Sequence, residues 1–86
     1  MEVFKIPIRA LIFCQVEYNA MAKVIEQLNK ISEIKKVFSL TGDYDVVAEI
    51  EVESTDELYE SFANKIDHID GIIETNTHVI MKSWEK

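Results

Sequence analysis

Residues 41–52 read TGDYDVVAEIEV, a glycine turn followed directly by a strand pattern. Gly42 and Asp43 are typical of a tight turn, because glycine adopts positive φ angles without steric cost and aspartate tolerates the bend. The residues after the turn alternate between two faces, Val46, Ala48, Ile50 and Val52 on one and Asp45, Val47, Glu49 and Glu51 on the other. This period of two predicts a half-buried strand over 44–52, paired with an upstream strand at about 34–41.

Upstream of this hairpin, the sequence predicts a strand and then a helix. Pro7 precedes the run 8–16, IRALIFCQV, which is short and rich in β-branched and aromatic residues and therefore favours a strand. Apolar residues then recur at helical spacing, namely Met21, Val24, Ile25, Leu28 and Ile31. Asn19 is the expected N-cap, because its side-chain oxygen can accept a hydrogen bond from a first-turn amide.

Downstream of the hairpin, the sequence predicts a second helix and a last strand. Ser54 and Glu57 have the spacing of a capping box, in which each side chain satisfies a free amide of the other residue. One apolar stripe follows, made of Leu58, Phe62, Ile66 and Ile69. Asp70-Gly71 ends this helix, the last strand covers about 72–81, and Trp84 lies just beyond it.

The order of the elements is strand, helix, strand, strand, helix, strand. It predicts one α+β domain over 1–86, with a ferredoxin-like βαββαβ fold and a four-stranded antiparallel sheet. Both helices then lie on one face of the sheet. Leu11, Phe13 and Val47 point to the other face. An exposed apolar patch of that kind is unusual in a soluble monomer, so we expect a homodimer in which two sheets pack face to face.

Composition and charge exclude several classes of protein. The 86 residues carry a net charge of −7, and nine basic residues face sixteen acidic ones. Such a surface argues against direct binding of nucleic acid, which needs clustered Lys and Arg. Cys14 is the only cysteine, so no internal disulfide or cysteine zinc site can form, and a cytoplasmic protein is expected. Neither an apolar run long enough for a membrane span nor a signal peptide at Met1–Lys5 is apparent.

No catalytic or metal-binding constellation stands out. His68 and His78 have no metal-ligand spacing, and we interpret both as surface or partly buried side chains. Cys14 lies mid-strand among apolar neighbours, where a small core residue is expected and not a nucleophile. We therefore expect a protein that is not an enzyme and that has no cofactor and no metal site.

The segment 41–45, TGDYD, leaves two interpretations open. A hairpin turn accounts for Gly42 and Asp43 but has no need for Tyr44 followed by Asp45. In a ligand site, Asp45 would receive an ammonium group, and the backbone amides of the glycine turn would hold a carboxylate.

Two stretches of the sequence resemble a known family. Residues 37–47, VFSLTGDYDVV, and residues 70–80, DGIIETNTHVI, are similar to the corresponding parts of the Lrp/AsnC effector domain, also called RAM. The resemblance implies a ferredoxin-like fold that dimerises through its sheets into an α/β barrel and assembles further, from tetramer to octamer. It also implies an amino-acid effector bound between dimers. The residues carried over to that site are Gly42, Asp43, Tyr44, Asp45, Thr75 and Thr77.

Within this implied site, Asp45 is assigned to the amino group of the effector. Loop amides or a threonine hydroxyl are assigned to its carboxylate. Full-length members of the family carry an N-terminal helix-turn-helix domain, and no such domain fits before Ile8. Together with Met1 at the start, this predicts a stand-alone effector domain that acts without its own DNA-binding domain, with full-length Lrp-like regulators as candidate partners.

The expected function is therefore binding of an amino acid or related metabolite coupled to oligomerisation, in transcription regulation or metabolic sensing. Two alternatives remain. One is a purely structural oligomerisation partner. The other is a small enzyme of the dimeric α+β-barrel type, which would need a poised histidine or carboxylate between helices and sheet.

Overall fold

The computed structural model describes residues 7–86, in which the chain forms four strands, two α-helices and a π-helical turn. The elements in chain order are β1 (Ile8–Val16), α1 (Met21–Asn29), β2 (Ile34–Ser39), β3 (Val46–Val52), α2 (Thr55–Ser61), a π-helical turn (Phe62–Ile66) and β4 (Ile72–Val79). This order confirms the predicted βαββαβ fold. The expected lack of a signal peptide concerns Met1–Lys5 and lies outside the described residues. No helix within residues 7–86 has the length and apolarity needed to cross a membrane.

The four strands form one antiparallel sheet of order β2-β3-β1-β4. Paired residues on neighbouring antiparallel strands project to the same face, so the register assigns each side chain to a side. Ala10, Ile12 and Cys14 of β1 lie opposite Ile50, Ala48 and Val46 of β3. Leu11 and Phe13 lie opposite Glu49 and Val47 on the other face.

The core lies between the sheet and the helices. The central inner-face residues of β1 and β3 are fully buried and pack against Val24 and Leu28 of α1 and Ile66 of the π-helical turn. Burial raises the pKa of the Cys14 thiol to about 11, so this cysteine is protonated and unreactive at neutral pH. Both helical segments therefore cover the same face, as predicted, and the face that carries Leu11 and Phe13 stays open.

The prediction that Asn19 caps α1 is wrong. The N-cap is Ala20, which makes no side-chain capping bond. Asn19 instead has a φ of +69°, in the left-handed region that asparagine tolerates better than most residues. A tight turn between Glu17 and Ala20, closed by a 3.0 Å bond from the Ala20 amide to the Glu17 carbonyl, forces this conformation. Asn19 thus serves the turn and not the helix.

The capping box at α2 is confirmed at one of its two bonds. The Glu57 amide donates to Ser54 Oγ at 3.1 Å. The reciprocal bond is displaced by one residue, because Glu57 Oε2 accepts from the Glu53 amide at 3.2 Å and not from Ser54. The carboxylate therefore reaches one residue further back than a capping box requires.

Removal of the Ser54 hydroxyl tests how much this cap contributes to the stability of the fold. We expect Ser54→Ala to lower the free energy of unfolding by about 1 kcal/mol, because the Glu57 amide loses its acceptor. Urea denaturation followed by circular dichroism measures the change. Ser83→Ala is the matched control, since Ser83 lies in the exposed tail after β4, and it should leave stability unaltered.

The second helix is not continuous, although its apolar stripe predicts one helix as far as Ile69. α2 ends at Ser61, and the chain continues as a π-helical turn in which the Asp67 amide donates to the Phe62 carbonyl at 2.8 Å. The wider turn changes the direction of the following side chains, and Ile66 is fully buried in the core. The stripe is thus apolar because it is buried against the sheet, as predicted. Its residues, however, are divided between an α-helix and a π-helical turn.

Candidate ligand-binding site

The loop that joins β2 to β3 is longer than the predicted turn. β2 ends at Ser39 and β3 begins at Val46. The Leu40 amide closes the loop by donating to the Asp45 carbonyl at 2.8 Å. Gly42 has a φ of +108°, which explains the glycine, and a side chain there would meet no atom within 4 Å. The tip of the loop, residues 41–43, is exposed. It is open to a ligand or to another subunit.

Asp45 fixes this loop to the end of β1. Its amide donates to the Cys14 carbonyl at 3.0 Å, and its Oδ2 accepts from the Val16 amide at 3.0 Å. The bond reaches β1 at the irregularity between Gln15 and Val16, where the pairing with β4 shifts register. Asp45 therefore has a structural task that the sequence did not reveal. Its second oxygen, Oδ1, has no hydrogen-bond partner among residues 7–86, and a carboxylate has acceptor sites on both oxygens.

Tyr44 turns away from the loop tip and lies on the open face of the sheet. Its ring centroid is 5.7 Å from that of Phe13, and Asn76 Nδ2 donates to the Tyr44 hydroxyl at 3.3 Å. Phe13 and Asn76 are register partners on that same face. Consecutive residues of the TGDYD segment thus contact different parts of the fold.

Thr75 and Thr77 lie on the other side of the sheet, on the edge strand β4. Their register partners are Cys14 and Ile12, whose side chains face the helices. Thr75 is half-buried and lies at the same end of the sheet as the loop, about 10 Å from Val46 across two strand spacings. Thr77 is exposed and one row further along. Residues 7–86 therefore bring Gly42, Asp43, Asp45 and Thr75 to one end of the sheet, with Asp45 directly before β3 and Thr75 on β4.

His78 and Asn76 are two open-face residues that motif reasoning did not select. The His78 ring meets Phe13 edge-on, with centroids 5.7 Å apart and an interplanar angle of 84°. Tyr44 and His78 thus form an aromatic cluster around Phe13. Alternation along the last strand would have identified both residues, since positions 76 and 78 must face away from Thr75 and Thr77.

Charged side chains surround the apolar centre of the open face. Arg9 Nη2 lies 3.5 Å from Glu49 Oε2, and the Glu49 side chain is only 17% exposed. Phe38 of β2 pairs with Val47 on the same face and is 50% exposed. The face thus has an apolar and aromatic centre with an ion pair beside it.

Two grooves lie at the opposite end of the sheet. Their volumes are about 420 and 260 Å³, and none of the predicted ligand residues lines either one. Both include Glu33, whose pKa is lowered because Lys65 donates to its two carboxylate oxygens at 3.0 and 2.8 Å. This ion pair joins the start of β2 to the π-helical turn. Among residues 7–86, no group of three or more metal-ligating side chains converges.

The sheet order, the helices on one side and the acidic glycine loop define a ferredoxin-like α+β domain with an open sheet face. Comparison with known proteins gives its family. A sequence model of the Lrp/AsnC ligand binding domain matches residues 9–86, and the chain belongs to that family. It is a family of transcription regulators and not one of enzymes.

One relative and two solved structures illustrate the match. The HTH-type transcriptional regulator FL11 of Pyrococcus abyssi is 36% identical over 77 residues, which are 90% of this chain and 50% of FL11. The crystal structure of FFRP-DM1 superimposes with a TM-score of 0.82 at 23% identity, covering 86% of this chain and 99% of that one. The transcriptional regulator NMB0573 of Neisseria meningitidis, solved as an L-Met complex, gives 0.83 at 15% identity, covering 92% and 53%. The chain spans about half the length of the curated regulators that it matches.

Proposed function

We propose that this chain is a module that binds an amino acid or a closely related metabolite and responds through its state of assembly. The observation that carries the proposal is the match of the Lrp/AsnC ligand binding domain across residues 9–86, which includes the complete β2–β3 loop. The L-Met complex of NMB0573 supports an amino acid as the kind of ligand. Catalysis is not part of the proposed function.

The proposed assembly begins with a homodimer formed by the open sheet faces. Leu11, Phe13 and Phe38 expose apolar surface there, and a second copy of the face would cover it. Face-to-face sheets pack about 10 Å apart, which fits side chains of this size. Dimers then assemble further, to tetramers or octamers, and bring their loops together.

The proposed ligand site forms where the loops of neighbouring dimers meet. Asp45 Oδ1 is available to accept a hydrogen bond from the ligand ammonium while Oδ2 holds the Val16 amide. The exposed amides around Gly42 and the Thr75 hydroxyl are the candidate donors for the ligand carboxylate, and Asp43 and Thr77 line the approach. Tyr44 shapes this site from the sheet side, through its contacts with Phe13 and Asn76. A second subunit encloses the proposed site.

The proposed regulatory output follows from assembly. The 36% identity to FL11 extends over 90% of this chain, which supports a related sheet face in the two proteins. Co-assembly with full-length Lrp-like regulators is therefore a route by which ligand binding reaches transcription. A ligand shifts such an equilibrium only by its difference in affinity between the two assembly states.

The experiment is a thermal-shift screen of the twenty amino acids, combined with light scattering. We expect at least one amino acid to raise the melting temperature and to change the scattering mass. Asp45→Asn should then weaken binding of that amino acid at least about tenfold in calorimetry, because the charge is lost while an amide oxygen still accepts from Val16. Asp67→Asn, the same change at an exposed aspartate outside the β2–β3 loop and the sheet, should bind normally.

Two results would contradict parts of this proposal. Normal affinity in Asp45→Asn would remove Asp45 from the site. Stable oligomers that respond to none of the twenty amino acids would favour the alternative function, a purely structural oligomerisation partner.

A further inference from the structure

His78 occupies an unusual place for an ionisable group. It lies on the open face of β4, directly opposite Leu11 of β1 and edge-on to Phe13. In a single chain its imidazole is exposed to water, which solvates either protonation state. Packing of a second sheet onto this face would remove much of that water.

We propose that His78 makes the sheet-to-sheet dimer sensitive to pH, so that protonation of His78 drives the two subunits apart. This inference rests on the proposed dimer. A neutral imidazole packs against aromatic and aliphatic side chains at little cost, whereas an imidazolium that leaves water needs a counter-charge or new hydrogen bonds. Protonation therefore stabilises the separated subunits relative to the dimer.

The charges around His78 do not provide that counter-charge. The register partners of His78 across the sheet are Leu11 of β1, then Glu49 of β3 and Lys36 of β2. Two residues further along the strands, Arg9 pairs with Glu51 on the same face. Glu49 is about 10 Å away, beyond Leu11, and already pairs with Arg9. On β4 itself the neighbouring open-face residue is Asn76, and Glu74 lies on the same face about 13 Å from His78 along the strand. Tyr44 of the loop contributes a neutral hydroxyl. The immediate neighbours Leu11, Phe13 and Asn76 are thus apolar or neutral, and the diagonal neighbour Arg9 on β1 is itself a cation.

The sign of the effect distinguishes it from the charge of the whole protein. The net charge is −7, so acidification lowers the repulsion between two copies and by itself favours association. Burial of His78 acts in the opposite direction. Dimerisation is therefore strongest when His78 is neutral and weakens when acidification protonates the imidazole.

The test compares dimer dissociation constants by sedimentation equilibrium at about pH 8 and about pH 5.5, a window that spans histidine titration and stays above that of ordinary carboxylates. The chain contains only two histidines, which gives a matched pair of variants. The wild-type constant should rise at least about tenfold at the lower pH. His68→Gln should behave like the wild type, since His68 lies outside the open face. His78→Gln should lose the rise, and its dimer should hold or tighten.

Each remaining outcome has a definite meaning. No dimer at pH 8 overturns the proposed assembly, and with it this inference. A dimer whose response to pH is equal in the wild type and in His78→Gln overturns the inference alone. Tightening of the wild-type dimer at low pH that depends on His78 also overturns it, because it would show a carboxylate of the partner within reach. Circular dichroism at both pH values checks that all variants remain folded.

Discussion

Replacing Phe13 with lysine is expected to convert the proposed dimer into a folded monomer. Phe13 lies at the centre of the open face, where it contacts Tyr44 and His78, and pairs with Val47 across the sheet. In the proposed dimer a lysine here buries an unpaired ammonium twice, once in each subunit, at a cost of several kcal/mol. If the two buried ammonium groups together weaken association by about 4 kcal/mol, the dissociation constant of the dimer rises about 1000-fold.

Sedimentation velocity at micromolar concentration measures this change directly. The matched control is Tyr59→Lys, which also replaces an aromatic residue by lysine, but on α2, where Tyr59 is 73% exposed. That variant should remain a dimer. A Phe13→Lys protein that still sediments as a dimer would show that the subunits associate through another surface.

Gly71→Ala is expected to have the largest effect on stability. Gly71 has a φ of +99°, and a Cβ atom there would lie 2.8 Å from Ala20 Cβ and 3.2 Å from Val24 Cγ2. Its carbonyl also accepts from the Glu17 amide at 2.7 Å, so the backbone is held in place. Backbone strain and overpacking together should cost about 3 kcal/mol, a large part of the stability of a small domain.

Gly42→Ala separates these two causes. Gly42 has a similar φ of +108°, but nothing lies within 4 Å of the added methyl group. Only the backbone term remains, and we expect a loss of about 1–2 kcal/mol. Urea unfolding of both variants gives the difference, which measures the packing against α1. Equal losses would mean that α1 moves aside at no cost.

Most of the fold could be predicted from the sequence because periodicity reports burial. The alternation over 46–52 and the helical spacing of Val24 and Leu28 both reflect contact with one core, and the structure places these residues in it. Strand ends were less accurate, since Leu40 and Tyr44 belong to the loop and not to the strands. Local patterns also failed at Asn19, where a turn and a helix cap favour the same residue type.

The candidate site could be predicted only as a set of residue types. Nothing in the sequence indicates that the Asp45 carboxylate bonds to Val16, a residue 29 positions earlier. The direction of Tyr44 was equally hidden, because the alternation rule applies to strands and Tyr44 lies in irregular chain before β3. Thr75 and Thr77 were assigned to the site only through the family resemblance, and their distance from the loop depends on the sheet order.

Tyr44 and Asp45 are neighbours in sequence, yet one packs on Phe13 while the other anchors the loop to β1. A substitution at either position therefore alters the loop and also removes one of its contacts with β1. We expect few substitutions to be tolerated at these two residues. Thr41 and Asp43 carry no such obligation, since their exposed side chains make no hydrogen bond within residues 7–86. If the loop binds the ligand as proposed, differences in ligand preference between relatives should therefore lie at these two positions.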